Sequence, residues 1–243
     1  HRNYPADAFL CGECNDVLSR LADRLEGQRA PDEAYDRDIA QAVSDAEKAL
    51  RNQVGEYAAL SDAVREVLPE DGIFVRDITV SGSTWGSRLL PIERPLSNIH
   101  SLAGAIGQGL ATGIGCAVGA QGRKVVTLVG DGGLMLMVGE LATLAQEDID
   151  MTLLVMNDGG YGVMRGIQDK YFEGRQYYND LETPDFQAFA KALSLPHWKV
   201  ERSEDFYTVL AEAVGKDGPA LVEVDMARVG PLEFSGPPQK TLY

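Results

Sequence analysis

The chain has 243 residues, 44% of them hydrophobic, which suffices for one large core or two modest ones. A formal charge of −15 and a pI near 4.6 argue against nucleic acid or an anionic membrane as partner, because no run of Lys and Arg supplies a basic patch. The longest apolar runs, Val125–Val129 and Met151–Met156, fall far short of the ~20 residues of a membrane span. The opening His1-Arg2-Asn3-Tyr4-Pro5 has neither an apolar signal segment nor an initiator Met. The expectation is a soluble, cytoplasmic chain that starts inside a longer parent. Cys11, Cys14 and Cys116 are too few, and odd in number, for a disulfide framework, and fit a reducing cytosol. Cys11-Gly-Glu-Cys14 has redox-motif spacing, but without a second pair to complete a zinc site it reads as incidental thiols at a strand-to-helix junction.

In chain order, Ala8–Cys11 reads as a short strand, and a helix follows over Asn15–Leu25 with Val17, Leu18, Leu21 and Leu25 at helical spacing. Residues 1–27 thus look like the end of a βα unit. Residues 28–51 have the composition of an exposed linker with an acidic helix in it, and a domain boundary is placed there. The main domain is expected over 52–230. It begins with a helix whose apolar face carries Tyr57, Leu60, Val64 and Leu68, ended by Pro69-Glu70-Asp71-Gly72. Strand Ile73–Ile78 follows, then a loop over Ser97–Leu102, a Gly- and Ala-rich helix over Leu102–Ala120, and strand Lys124–Val129 running into Gly130-Asp131-Gly132-Gly133. A helix over Leu134–Gln146 leads to strand Met151–Met156, which ends in Asn157-Asp158-Gly159-Gly160-Tyr161-Gly162. A loop with Phe172, Tyr177 and Tyr178 precedes helix Asp185–Leu193, a strand around Trp198–Glu201, helix Ser203–Val214 and strand Ala220–Val224. Residues 231–243 form a Pro- and Gly-rich tail. This alternation predicts a three-layer α/β/α fold on a mostly parallel sheet.

Parallel strands bring Asp131 and Asp158 out together at the carboxyl edge of that sheet. Two hard carboxylate oxygens beside backbone carbonyls suit Mg²⁺, which commonly bridges protein to a diphosphate. The helix after Gly133 points unpaired amides at the same place, and the glycines let a phosphate approach the backbone. Gly-Asp-Gly alone is usually a turn; its pairing with the second acidic turn is what points to a metal-diphosphate site.

Gly130-Asp131-Gly132 followed by Met156-Asn157-Asp158 resembles the cofactor motif of thiamine-diphosphate-dependent enzymes of the acetolactate synthase and benzoylformate decarboxylase type. That family usually has Asn-Asn at the second place. Asp158 here keeps an oxygen ligand but adds a charge beside the diphosphate, with weaker cofactor binding or a shifted metal preference as the consequence to test. The resemblance implies Asp131, Asp158 and the Gly160 carbonyl as Mg²⁺ ligands, and Gly132, Gly133, Tyr161 and Gly162 as the diphosphate cradle. Gly104-Ala105-Ile106-Gly107-Gln108-Gly109-Leu110 is similar to the family segment that props the cofactor into its bent shape, with Ile106 as the prop. The Gly104 carbonyl and the Ile106 amide then hold the pyrimidine. The resemblance covers roughly 52–230, with residues 1–27 as the tail of the family's middle domain.

The family's catalytic glutamate sits on a pyrimidine-binding domain, and nothing in this chain has the size or placement of one, so the chain alone is not expected to turn over. The implied function is decarboxylation of a 2-oxo acid or carboligation from it, in a homodimer or homotetramer whose neighbouring subunit supplies that domain. His100, six positions before Ile106, is a candidate for substrate contact or proton relay, though a lone His is more often structural. Thr79 is a candidate for the diphosphate, and Trp85 for pocket wall or plain core. Arg165, Gln168, Tyr177, Tyr178 and Phe234 border the expected pocket. His1 and His197 have no motif around them.

Two other readings remain. A natural subunit of a split enzyme is one, disfavoured by the middle-domain remnant. A nicotinamide or flavin oxidoreductase is the other, disfavoured because a loop rather than a strand precedes Gly104–Gly109. The small-residue helix over Leu102–Ala120 is expected to leave an apolar patch suited to self-association.

Overall fold

The computed structural model describes residues 5–28, 32–120 and 122–233, and divides into two compact units, residues 1–46 and 47–243. In the first unit, α1 (Cys14–Leu25) is capped by the Glu13 carboxylate, which accepts the Asp16 amide at 3.1 Å. Among the described residues before it there is no strand, so Ala8–Cys11, expected as one, is irregular. Helix α2 (Glu33–Val54) fills most of the segment read as linker and ends in the second unit, where Leu50 and Val54 join the core.

After the end of α2 the second unit continues with α3 (Tyr57–Val67), which buries Tyr57, Leu60 and Val64 as its spacing requires. Strand β1 (Ile73–Arg76) is followed by two single-turn helices, α4 (Val80–Ser83) and α5 (Trp85–Arg88), and by β2 (Asn98–His100). β2 corrects the loop expected over Ser97–Leu102: three residues, two of them polar, give no strand signal, yet they pair in parallel with β1. The single helix expected over Leu102–Ala120 is also corrected. Ala103, Gly104 and Gly107 have φ of 56°, 71° and 93°, which no α-helix admits, so α6 covers only Gly109–Gly119.

Strand β3 (Val125–Gly130) runs straight into α7 (Asp131–Leu136), and a break at Met137–Gly139 separates it from α8 (Glu140–Gln146), where one helix was expected. After β4 (Thr152–Asn157) comes α9 (Gly162–Tyr171), in a stretch read as loop, then α10 (Phe186–Ala192), β5 (His197–Val200), α11 (Phe206–Gly215), β6 (Ala220–Asp225) and α12 (Met226–Val229). The six strands are all parallel, in the order β2-β1-β3-β4-β6-β5.

Alternate strand residues feed two cores. Phe74, Val126, Leu128, Leu154 and Val222 pack with α3, Trp85 and α11 on one face. Val75, Val129, Leu153, Val155 and Leu221 pack with α6, α7, α8 and α10 on the other. Strands buried on both faces explain their near-continuous apolar runs, and the result is the three-layer architecture. Register positions the site: Gly130 is level with Met156, and Asn157 with Asp225, so the chain leaves the sheet at Asp131 and Asp158 side by side.

Candidate functional site

At the carboxyl edge, β1, β3, β4 and β6 end around a crevice. Its lining brings together Thr79, Ile106, Gly132, Gly133, Asp158, Gly160, Tyr161 and Gly162 from segments far apart in sequence. Asp131, between the lining residues Gly130 and Gly132, is fully buried. One Asp131 oxygen lies 3.4 Å from the Asp158 amide, and its Oδ2 has no partner among the described residues. Burial, and then the Asp158 charge, push the Asp131 carboxyl up to about 7. Burial raises Asp158 too, opposed by the Arg165 guanidinium. Two acids at one spot, one with an orphaned oxygen and only Asp158 offset by an arginine, suit a divalent cation. No cluster of three His, Cys, Asp or Glu side chains suited to a metal occurs among the described residues.

The cradle opposite these acids is built by missing side chains. A Cβ on Gly132 would meet the Tyr161 ring at 2.8 Å, and one on Gly133 the Asp77 carboxylate at 2.8 Å. A Cβ on Gly162 would collide with Asp158 Oδ2. On Gly160 it would collide with the Asn179 carbonyl, which already accepts the Tyr161 amide at 2.7 Å. The backbone here has no room for side chains and is open to close approach by an oxyanion ligand, while the Tyr161 amide is taken by the Asn179 carbonyl. Helix α7 is only six residues long, whereas ten-residue α9 also opens on the crevice, with Tyr161, Gly162 and Val163 in the lining. The residues fit a diphosphate held through a metal ion.

Other expected residues fall elsewhere. His100 is exposed, its Nδ1 3.0 Å from the Ser101 carbonyl, and Gly104 is exposed; neither is among the crevice lining. Trp85 is fully buried against Phe74, ring centroids 6.2 Å apart, and is core. Thr79 lines the crevice while its Oγ1 accepts the Gly82 amide at 2.6 Å as the cap of α4. Gln168 pins the neighbouring loop through the Tyr177 amide and the Asn179 side chain, while Tyr177 and Tyr178 point to solvent. Arg165 lines a second, wider cavity that shares Val80, Asp158, Gly162 and Met226 with the first. His197 lies 3.4 Å from Glu223. Phe234 and His1 lie outside the described residues.

Two residues with a part in the site had drawn no notice. Asp77, fully buried just past β1, accepts the Ile78 amide at 2.7 Å, the Ser101 hydroxyl at 2.9 Å and the Gly107 amide at 2.8 Å, and so fixes both ends of the segment that carries Ile106. Glu223 on β6 accepts the Asn157 side-chain amide at 2.8 Å. Burial raises the Glu223 carboxyl, but the nearby His197 ring, the Asn157 hydrogen bond and the Lys199 charge outweigh it and hold it below the usual range. The acidic turn is thereby anchored at the residue before Asp158. Asp77 was hidden inside an expected strand over Ile73–Ile78.

The family model described as thiamine pyrophosphate enzyme, C-terminal TPP binding domain, matches residues 79–224. The chain is similar to acetolactate synthase of Mycobacterium bovis, 25% identical over an alignment of 252 residues that covers 97% of this chain and 41% of the relative. It is also similar to the acetolactate synthase isozyme 1 large subunit of Escherichia coli, 26% identical over 170 residues, 69% of this chain and 30% of the relative. Among solved structures it is similar to the thiamine diphosphate-dependent 4-hydroxybenzoylformate decarboxylase of Rhodococcus jostii, with a TM-score of 0.64 at 28% identity, covering 73% of this chain and 32% of the other. The chain thus spans less than half the length of each. No helix among the described residues is long and apolar enough to cross a membrane.

Proposed function

We propose, on the premise that the chain belongs to the thiamine pyrophosphate enzyme family as its C-terminal TPP-binding domain, that it holds the diphosphate of thiamine diphosphate through Mg²⁺ in a 2-oxo acid decarboxylase or acetolactate-synthase-like carboligase. The observation that carries this reading is the Asp131–Asp158 pair with its orphaned buried oxygen, facing a cradle of glycines.

In this reading Asp131, Asp158 and the Gly160 carbonyl are the metal ligands. The backbone of Gly132, Gly133, Tyr161 and Gly162 holds the diphosphate, with Thr79 at its side; the Tyr161 amide takes part only by leaving the Asn179 carbonyl. Ile106 props the cofactor, and the Gly104 carbonyl and Ile106 amide receive its pyrimidine. When bound, thiamine diphosphate supplies a carbanion that adds to the carbonyl of a 2-oxo acid and stabilises the charge left by loss of CO₂. The chain's own residues orient: Asp77 fixes the Ile106 segment and Glu223 steadies Asn157. His100 is retained as a residue at the substrate side, on its position before the Ile106 segment.

We place the tail of a middle domain at 1–27, a linker at 28–51, the cofactor domain at 52–230 and a tail at 231–243. The division between Ala46 and Glu47 supports a boundary in the linker stretch. The catalytic glutamate is proposed to come from a pyrimidine-binding domain outside this chain, so this chain alone does not turn over. A homodimer or homotetramer is proposed in a cytoplasmic setting, supported by exposed Leu102, Val118 and Leu136. Incubating the full-length protein with a panel of aliphatic and aromatic 2-oxo acids, with Mg²⁺ and thiamine diphosphate, tests the activity. CO₂ release that depends on both additions is expected; turnover without either contradicts the reading.

A further inference from the structure

The site confronts a charge problem that its other residues leave unsolved. Asp131 and Asp158 leave the sheet side by side, and a diphosphate adds more negative charge than one divalent ion removes. Among the described ion pairs Asp158 has one partner, Arg165, and Asp131 has none. Lys199 on β5 is engaged with Asp225 at 3.0 Å and with Glu223 at 3.8 Å, and Arg76 at the end of β1 reaches the Gly82 carbonyl at 3.5 Å.

We infer that Arg165 is the positioning residue that makes an acid workable at position 158: its guanidinium orients the Asp158 carboxylate and offsets its charge, so that the metal-bound diphosphate is tolerated. This rests on the function proposed above. Arg165 Nη2 donates to the Asp158 carbonyl at 2.8 Å and stands 3.3 Å from its Oδ1, gripping backbone and side chain of the same residue. The grip is itself held. Arg165 sits in the first turn of α9, where its amide donates to the Tyr161 carbonyl at 3.0 Å, so the guanidinium reaches back over the turn that carries Gly160. Both side chains are about three-quarters buried, at 28% and 25% exposure, so solvent screens the pair far less than an exposed one. Arg165 Nε is buried without a partner among the described residues, a donor kept in the site at a cost. Both contacts are made by one nitrogen, Nη2, which the rigid guanidinium plane holds in place better than a flexible ammonium stem would.

The competing role is direct contact between Arg165 and the diphosphate. A double-mutant cycle in the full-length protein separates the two, with the dissociation constant of thiamine diphosphate in the presence of Mg²⁺ measured by calorimetry. In the wild-type background R165Q is expected to weaken binding about tenfold or more, as loss of a partner to a metal ligand does. In a D158N background, where no charge needs offsetting, R165Q is expected to change binding by less than about twofold. R165K, which keeps the charge without the rigid plane, is expected to fall between wild type and R165Q. If thermal melts show R165Q to be unfolded, R165K carries the same comparison between the two backgrounds. Equal losses in both backgrounds, or no loss in the wild type, overturn the inference. Absence of metal-dependent binding in wild type itself overturns the underlying reading of the site, and is distinguishable because it precedes any variant.

Discussion

The Gly107 amide donates to the Asp77 carboxylate at 2.8 Å, thirty residues away in sequence, and that bond ties the end of β1 to the loop that carries Ile106. The same carboxylate receives the Ser101 hydroxyl at 2.9 Å, so the whole turn between Ser101 and Gly107 is suspended from one buried acid. Asp77→Asn is nearly isosteric but sets an N–H donor against one of two buried donors. It is expected to destabilise the fold by about 2 kcal/mol. It is also expected to weaken thiamine diphosphate binding more than binding of inorganic diphosphate with Mg²⁺, because the proposed role of the Ile106 segment is to hold the rest of the cofactor. Urea unfolding and calorimetry with both ligands check this; equal loss for both ligands would make Asp77 a general structural residue.

The acidic pair predicts a pH dependence with a definite sign. Burial, and then Asp158, raise Asp131 from its ordinary value to about 7 in the folded, ligand-free protein. Between an ordinary carboxylate pKa and that value the folded chain holds a proton that the unfolded chain has released, so folding is favoured as pH falls through this window. Above about pH 7 Asp131 is charged and the penalty is present in full. Relative to Asp131→Asn, the wild type is expected to lose on the order of 1–3 kcal/mol between pH 5 and pH 8. Mg²⁺ with thiamine diphosphate, by holding the acids ionised, is expected to abolish that loss. Chemical denaturation at both pH values measures it.

Gly160→Ala tests the cradle from the side of shape. Its Cβ would collide with the Asn179 carbonyl, the acceptor of the Tyr161 amide. A loss of about 1–3 kcal/mol is expected from the forced shift, with cofactor affinity falling alongside it. Gly115→Ala, where a Cβ meets nothing within 4 Å, is the control and is expected to leave binding unchanged.

The parts of this fold visible in the sequence are those in which one physical requirement acts alone. β3 and β4 are buried on both faces and so read as apolar runs, and their ends are marked by turns that only Gly and Asp fill. β2 was invisible because its place depends on pairing with β1 and not on its own Asn-Ile-His. Helix α9 was hidden by Gly162 and Gly166, whose weak propensity is overridden by tertiary anchors such as the bond from Asn179 to Gln168. Asp131, Asp158, Gly132, Gly160 and Ile106 were legible as a set and meet at one crevice. Asp77 and Glu223 were not, because a carboxylate's value as an acceptor depends on donors 24 to 66 positions away.

The most direct test of the central claim is calorimetric titration of thiamine diphosphate into the protein, with and without Mg²⁺, beside an Asp131→Ala variant. The account predicts binding that requires the metal and is lost in the variant. Binding that ignores both the metal and Asp131, or a preference for a nicotinamide or flavin dinucleotide, would contradict it.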